Sequence, residues 1–370
     1  MTANLEKQTE RSTVKDSEGR NYGIDLLRVL MMFLIVLRHG SYQSDVISVE
    51  NVPKINYLTG VGINCFTGIC VNCFILISGY YLCTQRFRLG RIINLYIITL
   101  SYSLFVALIM LLHPGFHCSW MSLLRAIFPV CTCFSWFMSL YFVIALLSPY
   151  MNGCLCNLTQ KQFLWLLGIL LFFFSLVPSF GLSTFSKVGG YTLTWFIVLY
   201  CAGAYWRFYR NHSSVRKDFI LFLASCLLIF AFLALKFFFK RKGITLVHPD
   251  NYDFLPTFFA SFFCFRLFLN IKVPVCLNSC IARISPLLLG CYLFHSNSLN
   301  HELWRNLMRI DKHVFDKIWF VHMLACVCAV FLAGCMFEWL RQKSFQLLSG
   351  LFANCIRKKS STSTVPDKKP

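Results

Sequence analysis

The sequence predicts an all-α fold, a polytopic transmembrane helical bundle of about ten helices. Three observations predict it. Of the 370 residues, 57% are hydrophobic, 17% aromatic and only 14% charged, against about a quarter charged in a soluble domain. Apolar runs close to the length of about 20 residues that a spanning helix needs recur from end to end. Lys and Arg gather at the ends of those runs, where cytoplasmic loops and lipid headgroups hold them. No polar stretch is long enough for a separate soluble core, so the lipid bilayer is the expected solvent.

The chain opens on residues 1–20, polar and mixed in charge, read as a cytoplasmic N-terminal segment. The first apolar run follows without a small-residue cleavage site, so it is expected to stay as an anchor and not to act as a signal peptide. Spans are expected at 24–43, 61–83, 92–112, 136–152, 162–180, 191–209, 218–239, 254–271, 285–301 and 317–340. The run at 136–152 is short, but Trp136 and Pro149 suit an interface at each end. The run at 285–301 is the most polar, which makes it a weak span or a functional helix. Residues 21–341 thus form the expected membrane domain. Residues 342–370 form a basic, partly disordered cytoplasmic tail, ending in Lys, Ser, Thr and Pro near anionic lipid.

Loop charges set the orientation. Both termini inside places Arg86, Arg88, Arg91, Lys161, Arg207, Arg216 and the basic tail on the inner side, a bias of roughly two to one. The Lys240-Arg241-Lys242 cluster opposes it, because it falls outside. The net charge of +20 does not imply nucleic acid as a partner, since the basic residues flank membrane runs and form no soluble groove. No internal repeat is evident, which weakens a reading as a secondary transporter.

Nineteen cysteines sit mostly inside apolar runs, as at Cys65, Cys70, Cys73, Cys226 and Cys326, where the thiol is a small hydrophobe. The spacings Cys131/Cys133, Cys154/Cys156 and Cys326/Cys328 resemble no zinc site, and no CxxC pair is matched by a second. No metal is expected.

The chemistry is concentrated in the first run. Ionisable groups inside a span are costly and are functional candidates by default. Arg28 stands near the cytoplasmic entry, and His39 stands eleven residues on, about 16 Å deeper along a helix. Eleven residues make almost three turns, so both face one side. Asp25, one turn before Arg28, can pair with it. Such a stack suits a donor that is anionic at one end and reactive at the other: Arg28 for phosphate, His39 as the general base. Arg28 alone reads equally as a positive-inside anchor, and His39 alone as a hydrogen-bonded structural histidine.

The segment Asp25, Arg28 and His39 resembles the opening signature of the acyltransferase-3 family of membrane acyltransferases. Four further segments are similar to that family. They are Phe74-Ile75-Leu76-Ile77-Ser78-Gly79-Tyr80, the basic stretch from Arg86 to Tyr96, Trp136-Phe137 through Leu147-Ser148-Pro149, and Gly290-Cys291-Tyr292-Leu293-Phe294-His295-Ser296-Asn297. Each is weak alone; five in order on ten spans are specific. The chain departs from the pattern at Arg38, where an apolar residue is usual, and at Asn94, where many relatives carry Pro.

The resemblance, which covers about residues 20–340, implies a bacterial inner-membrane O-acyltransferase. It moves an acyl group, usually acetyl, from acetyl-CoA or another acyl-CoA co-substrate to a hydroxyl of a surface or exported polysaccharide, with no bound cofactor. His39, Arg28 and His295 are then the expected catalytic residues, and Arg28, Arg86, Arg88 and Arg91 the expected coenzyme A phosphate ligands. His295, about 18 Å into its span, is expected to match His39 in depth. Trp136, Ser78 and Asn297 are candidates for the glycan acceptor. Trp136 also reads as an interface anchor, and Ser78 with Gly79 as a close helix contact. Two other readings stand: a transporter or flippase for a glycan or lipid, and a structural membrane subunit.

Overall fold

The computed structural model describes residues 19–112, 120–132, 134–182, 189–209, 213–240, 249–297, 299 and 302–362. Lys187, Arg210 and the pair Arg241-Lys242 lie outside them, as do residues 1–18 and 363–370. Among the described residues there is no strand. The helices are α1 (Tyr22–Gln43), α2 (Lys54–Phe66), α3 (Ile69–Leu82), α4 (Leu89–Leu112), α5 (Trp120–Ile127) and α6 (Trp136–Leu155). Then follow α7 (Gln160–Leu171), α8 (Leu193–Phe208), α9 (Val215–Lys240), α10 (Leu255–Asn270), α11 (Val275–Ile284), α12 (Leu288–His295) and α13 (Trp319–Thr362).

Each of the ten expected spans has a helix, but they are unequal. Seven stretches are long and apolar enough to cross a membrane, so the protein is a multi-pass membrane protein. Lys54–Leu82 is one of them, formed by α2 and α3 on either side of a break at Thr67-Gly68. The other three expected spans differ for physical reasons. Helix α1 carries Asp25, Arg28, Arg38 and His39, while α8 and α10 have only 16 residues each.

The expected span at 285–301 is also displaced. Its helix starts after Pro274, at Val275, and ends at His295. Pro286 is absorbed in one tight turn, Ser285–Leu287, because proline suits the first positions of a helical segment. Pro149 does not end α6, which runs on to Leu155. The proline removes the N–H that would bond the Ala145 carbonyl, and the Ser148 hydroxyl donates to that carbonyl instead at 2.8 Å, the usual repair inside a membrane.

Helix α1 is the hub. It packs on α2, α3, α10, α11, α12 and α13. By contrast α4 and α9 turn large apolar side chains outward, among them Leu104, Leu108, Leu112, Leu223 and Leu227, as lipid-facing helices do. A close contact joins α3 to α8 through glycines. A Cβ on Gly79 would lie 2.3 Å from the Tyr200 carbonyl oxygen, and one on Gly203 would lie 2.2 Å from the Leu76 carbonyl oxygen. Small residues let membrane helices approach closely.

A second brace lies between α4, α12 and α13. The Glu338 carboxylate, 2% exposed, accepts from Tyr102 Oη at 2.9 Å and from two nitrogens of Arg341 at 2.7 Å each. It also accepts from Gln342 at 2.9 Å. A buried carboxylate is tolerable only when so paired.

Two substitutions test the glycine contact. Gly203→Ala is expected to destabilise the protein by about 1–3 kcal/mol, the usual cost of overpacking. Gly168→Ala, with open space around its Cβ, is expected to be neutral or to stabilise by about 0.5–1 kcal/mol, as for a glycine removed from a helix. Thermal unfolding of both variants in detergent micelles reads the difference.

Candidate active site

The site begins where α1 begins. Asn21 caps the helix: its side-chain oxygen accepts from the Ile24 N–H at 3.0 Å, while its amide donates to the Leu269 carbonyl of α10 at 3.1 Å. A Cβ on Gly23 would sit 2.2 Å from the Phe268 carbonyl oxygen, so the start of α1 presses onto the end of α10. Asp25, 5% exposed, gathers three donors. Arg20 approaches it at 2.5 Å, Arg28 at 2.9 Å and the Ser285 hydroxyl at 3.0 Å. The expected Asp25–Arg28 pair therefore forms, and Arg20 and Ser285 complete it.

From here one face of α1 lines a cavity. Asp25, Arg28, Met32, Ile35 and His39, spaced three and four residues apart, all border it, as helix periodicity requires. Facing them on α3 are Val71, Phe74, Ser78 and Tyr81. The cavity measures about 1420 Å³, above the range of about 300–1,000 Å³ usual for small-molecule pockets. Arg20, Arg28, Arg86, Arg88, Arg91 and Arg207 border it together with Arg38, against one carboxylate, that of Asp25. Its lining is thus strongly positive. Arg86 and Arg88 are exposed and have no ion-pair partner among the described residues. Arg91 bonds the Gln85 side chain, and Arg207 donates to Tyr80 Oη at 2.8 Å.

His39 lies at the deep end. It is half-buried and borders the cavity, and its ring centre stands 5.0 Å from that of His295. The two candidate histidines thus meet from α1 and α12. His295 is fully buried. Its Nδ1 lies 2.7 Å from the Cys291 carbonyl; a carbonyl only accepts, so Nδ1 carries the proton and Nε2 the lone pair in the neutral ring. That Nε2 and the Nδ1 of His39 are enclosed without a hydrogen-bond partner among the described residues. Buried polar atoms are rarely left unpaired, and here two occur on neighbouring rings beside a cavity.

The remaining candidates divide. Trp136 borders the cavity within a group of aromatic rings: Tyr252 at 5.9 Å and nearly parallel, Tyr191 at 4.5 Å, and Phe196 and Phe137 at 6.0 Å each. Ser78 borders the cavity too, its hydroxyl donating to the Phe74 carbonyl at 2.8 Å. The close helix contact expected of Ser78 with Gly79 belongs to Gly79. Asn297 is not brought to this cavity. Its amide donates to the Leu293 and Phe294 carbonyls at 2.9 and 2.8 Å, which closes the end of α12.

Sequence reasoning missed Tyr252 and Arg207 as site residues, and read Arg38 only as a departure that alters the surroundings of His39; all three border the cavity. The signal for Arg207 was a charged residue inside an apolar run. Tyr252 gave no signal, because it lies in the turn before α10 and reaches the site only through folding.

The clamp at Asp25 can be graded. Asp25→Asn is expected to lower stability by about 1–3 kcal/mol, the cost of losing charge-assisted hydrogen bonds. Ser285→Ala removes one donor to the same carboxylate and is expected to cost no more than about 1 kcal/mol. Thermal midpoints that rank the two the other way would refute the clamp.

Comparison with known proteins adds one match. A family model described as an acyltransferase domain matches residues 21–339, from the cap of α1 into α13. No curated protein and no solved structure matches the chain.

Proposed function

Because the chain belongs to the acyltransferase-3 family and is a membrane O-acyltransferase, we propose that it transfers an acyl group, most simply acetyl, from acetyl-CoA or another acyl-CoA to a hydroxyl of a surface or exported polysaccharide. One observation carries this reading: a single cavity joins a rim of arginines to His39. A coenzyme A thioester has the matching polarity, with phosphates at one end and the reacting carbonyl at the other. Arg28, Arg86, Arg88 and Arg91 suit the phosphates, by charge and by their forked donors. The rim faces the cytoplasm of an inner-membrane protein in this reading, the side where acyl-CoA is found.

At the deep end His39 takes the proton of the acceptor hydroxyl, and the freed oxygen attacks the thioester carbonyl. The tetrahedral intermediate collapses with loss of the C–S bond. The thiolate leaves with the proton that His39 held, giving the ester and free coenzyme A. In a two-step version the imidazole first carries the acyl group itself. His295 is a positioning residue, its ring packed against that of His39. The rings around Trp136 offer an apolar wall for the acceptor sugar.

Inner-membrane vesicles given radiolabelled acetyl-CoA and native glycan test the reading. His39→Ala is expected to lower kcat by about 10²–10⁴-fold, the usual contribution of a general base, with the protein still folded in the membrane. Arg28→Ala is expected to raise the donor KM more than it lowers kcat. His39→Ala with wild-type product formation excludes the role. Glycan that crosses the vesicles without any donor replaces the reading with a transporter or flippase. Label retained on the protein in the absence of acceptor, lost in His39→Ala, identifies the two-step version.

A further inference from the structure

Acyl transfer, as described, gives no role to three cations of the cavity: Arg20, which is paired with Asp25, Arg207, which is bonded to Tyr80, and Arg38. Arg38 precedes His39 on α1 and borders the same cavity. Its guanidinium offers five N–H donors and stays charged under all cellular conditions. Among the described residues every hydrogen-bond acceptor it meets is neutral: the Asn64 carbonyl at 2.5 Å, the Thr67 hydroxyl at 3.4 Å and the Asp250 carbonyl at 3.4 Å. The Asp250 carboxylate pairs with Lys236 at 3.3 Å and acts on Arg38 through space, without an ion-pair contact. A charge held inside an apolar run with no ion-pair partner among the described residues points to a functional group.

Its surroundings say what it faces. The Tyr252 ring lies 5.0 Å from the guanidinium carbon. That ring is near-parallel to Trp136, and Tyr191 stands 4.9 Å from Tyr252. A cation and an aromatic wall therefore meet at the end of the cavity that holds His39. Such a wall supplies contact area for a ring or chain, and a few placed polar groups fix its orientation and identity. Arg28, the rim arginine on the same helix, is ten residues away along α1, about 15 Å at the helical rise, so a phosphate held there does not neutralise Arg38. A neutral acetyl group moving to a neutral sugar brings no anion into contact with this charge.

We propose that Arg38, backed by Tyr252 and Trp136, is an anion subsite of the reaction chamber that takes a carboxylate carried in by one of the two substrates. The carboxylate belongs either to an acidic sugar of the acceptor or to the far end of a dicarboxylic acyl group on the donor. This rests on the acyl-transfer reading and narrows its substrate class.

Equilibrium binding to the full chain in detergent micelles separates the two sources. One pair of probes is methyl glucuronide against methyl glucoside; the other is succinyl-CoA against acetyl-CoA. The charged member of one pair is expected to bind about tenfold or more tightly, the effect of one charge-assisted hydrogen bond. Arg38→Met is expected to bring that pair to within about twofold, and Arg38→Lys to retain the preference because the charge remains. A ratio taken within one variant is insensitive to a general loss of folded protein, so a purely structural role does not move it. No preference in either pair overturns the subsite, as does a preference that survives Arg38→Met. Equal slowing of transfer for charged and neutral members, without a binding preference, also overturns it and assigns Arg38 to the reaction's oxyanion. Release of free thiol from the wild type is followed in parallel. Its absence beside an Arg38-dependent binding preference removes the transfer reading and leaves the subsite.

Discussion

The cost of placing ionised groups in a hydrocarbon layer governs this structure. An Arg or Asp at the centre of a lipid-exposed helix costs about 2.5–3.5 kcal/mol on insertion scales. Helix α1 holds Asp25, Arg28 and Arg38, and it cannot face lipid cheaply. It is surrounded instead by six other helices, and its polar stripe opens on an internal cavity. Asp25 shows the same rule locally, since its carboxylate is buried only because Arg20, Arg28 and Ser285 all reach it. Once α1 is central, the lipid-facing places fall to helices without charge in their middle, such as α4 and α9.

The same constraint shapes the path from rim to histidine. A pocket bordered by arginines with one carboxylate is electrostatically a funnel for anions, since low-dielectric walls strengthen fields inside a cleft. Its deep end differs in kind. There the polar atoms are two imidazoles and one guanidinium, set among aromatic rings. Charge attracts a ligand at the mouth, while shape and a few polar atoms discriminate within. A thioester with a charged handle and an uncharged reacting carbonyl fits that gradient, and family membership gives the reaction class.

Much of this was legible beforehand. The helices, their order and the shared face that Arg28 and His39 turn to the cavity follow from run lengths, from one uncommon pair of polar residues and from periodicity. Arg86, Arg88 and Arg91, singled out by the motif order, border the same cavity. Where reading failed, the cause was local compensation or long-range contact. Pro149 looked like a terminus because its missing hydrogen bond is visible in the sequence, while the Ser148 hydroxyl that answers for it is recognised only from geometry. The most polar span was set too late, at 285, whereas its helix starts at Val275 and takes Pro286 into an internal turn. Asn297 looked like a ligand beside His295, yet its amide closes its own helix.

The sequence by itself determined the solvent, the class of fold and the stack of polar residues on α1, because hydrophobicity and helical period are properties of neighbouring residues. It also determined that Arg28 and His39 share a face, since eleven residues return a helix almost to its starting angle. Only the tertiary structure decided which distant groups complete that face. It brought His295 to His39 across more than 250 positions, turned Ser78 to the cavity while Gly79 took the helix contact, and gave Arg38 a tyrosine floor from the turn before α10. Those meetings depend on how helices cross, and crossing is set by side-chain packing between segments whose separation along the chain carries no record of it.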